Sequence, residues 1–275
     1  MLGSNFGVSS TVCGEISLGV IMGNLCSGFP AVSVVFPCLN EEEAVGQSVS
    51  KVLDICKKAN IDVEVIVVDN GSIDNSVRVA MDAGARVVIE PRRGYGNALI
   101  TGFQHARGKY LIMCDADLTY ELEVIPLCVD LLHNRGFDLV IGNRFSGKMT
   151  VGSMPWLHRY IGNPFLSWLT RKLYGVDVTD VHCGLRALTR SSFHRMHLSS
   201  PGMEFATEMV IAAGILGLKV AQIPVGYYRR IGRSKLRTFR DGMRHLFFLL
   251  RYRHNRSWFL QKRKEVIDLS VGDLL

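Results

Sequence analysis

The sequence predicts an α/β protein with a mostly parallel central sheet covered by helices on both faces. Three observations carry that expectation. Short, continuously apolar runs recur through the first half of the chain, and helix-periodic segments separate them. Strands buried on both faces read as unbroken apolar runs, as in a parallel sheet between two helical layers. Polar clusters follow the ends of four of these runs, at the sheet edge where such folds place their ligands.

The elements follow in order. Ala31–Pro37 is a β-branched run ended by proline, the first strand. Glu41–Lys58 carries Val45, Val49, Val52, Leu53 and Cys56 at helical spacing, with acids in its first turn, where the helix dipole favours them. Val63–Asp69 is a second buried strand, Ser76–Ala83 a short helix and Ala85–Ile89 a third strand. Gly96–Arg107 reads as a helix, Tyr110–Asp115 as the fourth strand, Leu122–Asn134 as a helix and Phe137–Gly142 as the fifth strand. The second half is less regular. Helices are expected over Leu157–Tyr174, Glu204–Leu216 and Leu236–Arg253, and strands over Gly184–Leu188 and Lys219–Ile223.

Size and composition set the frame. The 275 residues are 48% hydrophobic, enough for one large or two small domains. No internal repeat or clear linker interrupts 31–250, so one compact unit is expected there. Residues 1–30 are small, Gly/Ser-rich and weakly apolar, without the basic start and apolar core of a signal peptide. They are expected to be a disordered extension. No purely apolar run reaches the ~18 residues that mark a transmembrane helix. The seven cysteines have no CxxC spacing, and several sit inside apolar segments. They read as reduced, buried thiols of a cytosolic protein.

The net charge of +7 is uneven. Residues 229–264 hold thirteen Lys and Arg, from Arg229 to Lys264, against the single acid Asp241. A basic end of this kind fits nucleic acid, an anionic membrane surface or phosphate substrates. No nucleic-acid-binding motif accompanies it, and the cations cluster with the phosphate-handling segments described next. The apolar block 243–250 followed by the basic stretch 251–275, with Trp258 and Phe259, is expected to contact an anionic bilayer surface.

The chemistry concentrates at Asp115-Ala116-Asp117, at the tip of the fourth strand. Two carboxylates there cannot both be core; they need water, a cation, or both. Pro37-Cys-Leu-Asn40-Glu41 ends the first strand and opens a helix, whose amides attract anions while Asn40 and Glu41 offer hydrogen bonds to a base or ribose. Helix capping by Asn40 is the simpler reading of that cluster. Asp69-Asn70-Gly71-Ser72 ends the second strand; Asp69 suits a ribose diol or a base, and an Asn-Gly turn is the simpler alternative. Arg92-Arg93-Gly94-Tyr95-Gly96-Asn97 is a basic, Gly-rich loop but lacks the third glycine of a dinucleotide fingerprint. Asn143-Arg144 follows the fifth strand.

These stretches, together with Asp180-Val-His-Cys-Gly-Leu-Arg186 and Gly232-Arg-Ser-Lys235, occur in an order that resembles the family 2 glycosyltransferases of the GT-A fold. Within that family the chain is most similar to the polyprenyl-phosphate sugar transferases, the group containing the dolichyl-phosphate mannose synthases and glucosyltransferases. The resemblance covers residues 31–250. It implies that Pro37, Asn40, Glu41 and Asp69 hold the nucleoside of a sugar nucleotide. It implies that Asp115 and Asp117 bind Mg²⁺ or Mn²⁺ on the diphosphate, Asp117 more directly. Some relatives place a Gln ligand where this chain has Thr119, which leaves the third protein ligand unassigned.

Arg144, Arg159 and Asn163 match positions that receive a lipid phosphate in relatives. Asp180, His182, Glu204 and Glu208 are candidates for sugar hydroxyls, and Glu204 and Glu208 are spaced to share a helix face. Ser234 and Lys235 match a loop that closes over the diphosphate, with Arg229 or Arg230 as its leading cation. The implied reaction is inverting transfer of a hexose from GDP-mannose or UDP-glucose to a polyprenyl phosphate, by an enzyme peripheral to the cytoplasmic face of a membrane. Transfer to a polysaccharide or small hydroxyl acceptor, with Glu204 or Glu208 as general base, is the first alternative. A non-catalytic nucleotide-sugar-binding module is the second.

Overall fold

A computed structural model describes residues 31–232 and 243–250. In chain order its strands are β1 (Val32–Cys38), β2 (Val63–Asp69), β3 (Arg86–Ile89), β4 (Tyr110–Met113), β5 (Leu139–Asn143), β6 (Arg186–Thr189) and β7 (Val220–Pro224). Its helices are α1 (Val45–Lys58), α2 (Ser76–Asp82), α3 (Tyr95–His105), α4 (Ile125–His133), α5 (Asn163–Tyr174), α6 (Arg190–Met196) and α7 (Phe205–Ile215). A further helical stretch covers 243–250. The strands form one sheet in the order β3-β2-β1-β4-β6-β5-β7.

The sheet is mostly parallel, as expected, with β6 as the exception. It pairs antiparallel with both β4 and β5, and Arg186 stands opposite Met113 and Ile141. That reversal matters for the site. It brings the segment before β6, residues 180–185, to the edge where β4 ends at the acidic pair. Apolar content alone carries no strand direction, so the reversal was invisible to periodicity.

Several boundaries differ from expectation, each for a local reason. α1 starts at Val45, because Glu41–Glu43 form a preceding turn in which the Glu41 carbonyl accepts from the Ala44 and Val45 amides. The acids therefore precede the helix instead of filling its first turn. The Leu122–Asn134 segment opens as a 3-10 turn over Leu122–Val124 before α4, with Pro126 in α4's first turn. The Leu157–Tyr174 segment is a π-helical turn over His158–Gly162 followed by α5, which Pro164 opens. The short helix α6 was not anticipated. Residues 1–30, the rest of the Leu236–Arg253 segment, and the basic stretch 251–275 lie outside the described residues, as do Ser234 and Lys235.

Among the described residues the main core runs from β1 and β2 through β4 to α7, and a smaller cluster joins Leu166, Ile211 and Leu249. In α7 every residue from Phe205 to Ala213 is buried, which suits a helix apolar on all sides. Cys38, Cys56, Cys114, Cys128 and Cys183 are all buried and unpaired. Desolvation pushes the Cys38 thiol up to about 11, so it is protonated at neutral pH.

Among the described residues the largest fully buried side chain is Arg186. Its guanidinium donates to the carbonyls of Cys183 (3.0 Å), Val181 (2.6 Å) and Ala206 (2.6 Å). It thereby ties the 181–183 turn to α7 and holds that turn against the β4 edge. Replacing it with Met (R186M) leaves three carbonyls without this donor. The expected cost is roughly 3 kcal/mol, read as a lower midpoint in urea unfolding; an unchanged midpoint would contradict the assigned role.

Candidate active site

The acidic pair sits where β4 runs out of sheet. Met113 is the last paired residue, and the chain then turns through Asp115, Ala116 and Asp117. Leu118 adopts a left-handed conformation at φ 61°, which costs a non-glycine residue roughly 1–2 kcal/mol. Thr119 compensates by donating to Asp117 Oδ1 from both its amide (3.1 Å) and its hydroxyl (2.6 Å). This settles what Thr119 does in the structure: it orients the Asp117 carboxylate.

The other Asp117 oxygen, Oδ2, faces Arg230. Arg230 Nη2 lies 3.2 Å from it and donates to Glu41 Oε1 at 2.9 Å. One guanidinium thus bridges the ends of β1 and β4. Arg229, the other candidate for that position, points elsewhere, donating to the Val151 carbonyl. Asp115 accepts a hydrogen bond from the Tyr95 hydroxyl at 3.0 Å. Burial, and then the neighbouring Asp117 charge, hold the Asp115 carboxyl well above the usual carboxylate range. Two acids with this little solvent call for a cation.

Around the pair opens a cleft of about 330 Å³, the size of a small-ligand pocket. Pro37, Glu41, Asp115, Asp117 and Arg230 line it, as the sequence implied. Asn70, Arg93, Gly94 and Tyr95 line it too, from the two flanking loops. Gly202, Met203 and Arg244 close it from the second half of the chain. Arg244 is paired with Glu204 across 3.1 Å. These last three went unnoticed in the sequence. Gly202 is half of a Pro-Gly turn ahead of an apolar helix, and Arg244 is one cation among thirteen.

The loop 92–97 is built to fit this wall. Asn70 donates from Nδ2 to the Glu90 and Arg92 carbonyls (2.8 and 2.9 Å) and accepts from the Gly94 amide at 2.7 Å. Gly94 has φ 144°, and a Cβ on either Gly94 or Gly96 would collide with the carbonyls of Pro201 and Ser200. Glu90 anchors the loop's base. It binds Arg92 in two hydrogen bonds (2.9 and 2.8 Å) and accepts from the Thr101 hydroxyl.

Several implied site residues are engaged elsewhere. Arg144 forms a buried two-pronged pair with Asp180, 2.7 Å at each contact, and its amide donates to the same carboxylate. Its guanidinium also lies 5.2 Å from the Tyr227 ring centre. So these two groups serve each other, and neither lines the cleft. Asp69 accepts from the Gly71 and Ser72 amides, closing its own turn. Asn40 accepts from the Ile73 amide and receives no cleft wall. Glu208 is buried and accepts from the Ser199 and Ser200 amides (3.1 and 2.8 Å), fixing the turn that packs on Gly96. Its amide donates to the Glu204 carbonyl at 2.9 Å, one helical turn before it, but the two carboxylates serve different partners, Glu204 pairing with Arg244. His182 stacks edge-on against His245 at 4.6 Å, and burial followed by that neighbour pushes its ring well below the usual histidine range. Arg159 and Asn163 sit outside the cleft, on the π-helical turn and the start of α5.

No group of three or more His, Cys, Asp or Glu among the described residues is arranged to hold a metal ion. Asp115 and Asp117 nonetheless fit a divalent cation that draws the rest of its shell from outside the protein. The observation that supports this is Arg230, a cation already drawn onto Asp117.

A family model described as Glycosyl transferase family 2 matches residues 33–196. The chain belongs to glycosyl transferase family 2. Among its relatives is the low-salt glycan biosynthesis hexosyltransferase Agl6 of Haloferax volcanii, 40% identical over 80% of this chain and 53% of Agl6. The chain therefore spans about half of Agl6. The dolichyl-phosphate hexose transferase of the same organism is 33% identical over 78% of this chain and 90% of its own length. Among solved structures, glucosyl-3-phosphoglycerate synthase from Mycobacterium tuberculosis, in complex with Mn²⁺ and UDP-glucose, superposes with a TM-score of 0.62. That match has 25% identity and covers 82% of this family 2 chain and 79% of the synthase.

The Glu90 anchor gives a pH prediction. Its hydrogen bond from the Arg92 side chain, partly offset by burial, and that from Thr101 lower Glu90 to about 2, against an ordinary 4.5. A depressed carboxyl stabilises the fold above about pH 4.5, and that contribution fades as pH falls towards 2. Because Arg92 faces solvent, the expected size is only about 1 kcal/mol. E90Q should therefore lower thermal stability at pH 7 and converge on the parent at the acid end. A gap that persists unchanged at low pH would refute the linkage.

Proposed function

We propose that this family 2 enzyme transfers a hexose, with inversion, from a nucleotide sugar to a polyprenyl phosphate. The observation that carries the reading is the cleft itself: an acidic pair at its floor, with Arg93, Arg230 and Arg244 around it. Acids for a divalent cation beside guanidinium groups for phosphate oxygens are what a nucleoside diphosphate needs. The Mn²⁺ and UDP-glucose in the mycobacterial synthase support the donor class, and the name of the Haloferax dolichyl-phosphate hexose transferase supports the acceptor.

In this reading Asp115 and Asp117 hold Mg²⁺ or Mn²⁺. The metal, when bound, stabilises the charge of the departing diphosphate. Pro37, Glu41 and Asn70 border the nucleoside, while Asn40 and Asp69 shape the loops behind it. Arg230 leaves the carboxylates for the diphosphate, and Ser234 and Lys235 follow in the same segment. Arg159 and Asn163 meet the acceptor phosphate; the Arg144–Asp180 pair keeps the corner after β5 rigid. An acceptor phosphate is already an anion at neutral pH, so the enzyme needs positioning and no general base. Its catalytic unit is 31–250, working at the cytoplasmic face of a membrane.

The test incubates purified protein with Mn²⁺, labelled nucleotide sugars including GDP-mannose and UDP-glucose, and a short polyprenyl phosphate. Label from one donor should enter the organic phase, and D117N should lower turnover by roughly three orders of magnitude. No label from any donor would overturn the proposal. The hydroxyl-acceptor alternative is separated by E208Q. With Glu208 held by two backbone amides, the folded variant should keep turnover within about tenfold, whereas a lost general base costs about 100-fold or more.

A further inference from the structure

We propose that His182 and His245 form a pH-sensitive latch that seats the 243–250 stretch, and with it Arg244, against the cleft. The inward side of that stretch meets the body through two kinds of contact. Towards its end the contact is apolar: Leu249 packs with Leu166 and Ile211, and its carbonyl accepts from the Tyr174 hydroxyl at 2.7 Å. Towards its start the contact is polar. Arg244 pairs with Glu204 at 3.1 Å, and His245 Nδ1 lies 3.0 Å from the Thr207 hydroxyl of α7. The His245 ring meets the His182 ring edge-on, with centres 4.6 Å apart.

The two histidines are the part of this seat that can change its charge. His245 is only 6% exposed, and both ring nitrogens of His182 are buried without a hydrogen-bond partner among the described residues. The groups facing His182 come from four elements. They are His245 on the 243–250 stretch, His158 on the π-helical turn, Arg144 after β5 and Arg186 at the start of β6. Each is a cation or becomes one on protonation. Asp180, two residues earlier in the chain, is committed to Arg144 through both oxygens. The α7 acids are engaged as well, Glu204 with Arg244 and Glu208 with the Ser199 and Ser200 amides. A proton on the His182 ring therefore meets like charge, and a second on His245 would sit one ring contact away in a medium of low dielectric. Burial, and then His245, hold the His182 ring well below the ordinary 6.5. A base depressed in this way leaves the closed arrangement intact above pH 6.5. It weakens that arrangement as pH falls further, because the opened ring takes the proton more readily than the buried one.

The 243–250 stretch is the partner able to yield. His182 sits in the turn that Arg186 ties to α7, and α7 is buried from Phe205 to Ala213. Arg244 moves with the stretch. Gly202 shows how closely the wall is fitted to that side chain, since a Cβ there would stand 2.7 Å from Arg244 Nη2 and 2.6 Å from Glu204 Oε2. Release takes one guanidinium from a cleft that Arg93 and Arg230 also line, so affinity for a nucleoside diphosphate falls on acidification. That consequence rests on the transfer reading; the latch does not.

The test is hydrogen exchange of the full chain at about pH 7.5 and about pH 5.5, each amide rate divided by that of an unstructured amide at the same pH. Neither metal nor nucleotide is present, so failure here leaves the transfer proposal standing, and failed transfer leaves the latch standing. Opening of the 243–250 amides should become about tenfold more frequent at the lower pH, the ratio for one ordinary histidine taking up a proton on release. Amides of β1 and β2 should keep their protection. H182Q should shrink the ratio, and H182Q/H245Q, with neither ring left to charge, should bring it to about one. A ratio near one in the parent, an undiminished ratio in H182Q, or loss of β1 and β2 protection in step with the stretch would overturn the proposal.

Discussion

The organising constraint is the charge of Asp115 and Asp117, carried at the tip of a strand whose other residues are all core. A buried carboxylate pair is costly unless something cationic or hydrogen-bonding meets it. Much of the surrounding structure meets that need. Thr119 orients one oxygen, Tyr95 holds Asp115, and Arg230 reaches across from the chain's second half to Asp117 and Glu41. The cleft is thus a consequence of where those counter-groups have to stand.

A second layer holds the first in place. Tyr95 is presented by the loop that Asn70 and Glu90 fasten, and that loop fits only because Gly94 and Gly96 let it lie against the Pro201 turn. Glu208 fixes the same turn from below. Arg186, at the start of the reversed strand β6, fixes the 181–183 segment beside β4. Charged residues that look catalytic in the sequence are here structural, because a buried polar network must be satisfied throughout to be tolerable.

The first half of the fold was legible because parallel strands announce themselves as apolar runs, and β2 was placed to the residue. The acidic pair, Glu41 and Pro37 were legible as strand-end residues, since topology alone brings strand ends to one edge. What failed was pairing over distance. Nothing in the spacing of Arg144 and Asp180 tells that they find each other, and nothing separates Arg230 from Arg229 except the direction each side chain takes. Glu208 shows the same limit: a carboxylate near a site reads as chemistry until the amides it accepts from are known. Met203 and Arg244 were missed because they reach the cleft from elements far away in sequence.

Arg230 meets the Asp117 charge across 3.2 Å, and in the proposed reaction it yields that oxygen to a divalent cation. The most direct measurement is Mn²⁺ affinity, by titration calorimetry without nucleotide, for the parent chain and for R230A. If the two cations compete for one carboxylate, R230A binds Mn²⁺ more tightly than the parent, by several-fold or more. Equal or weaker binding by R230A would contradict the claim.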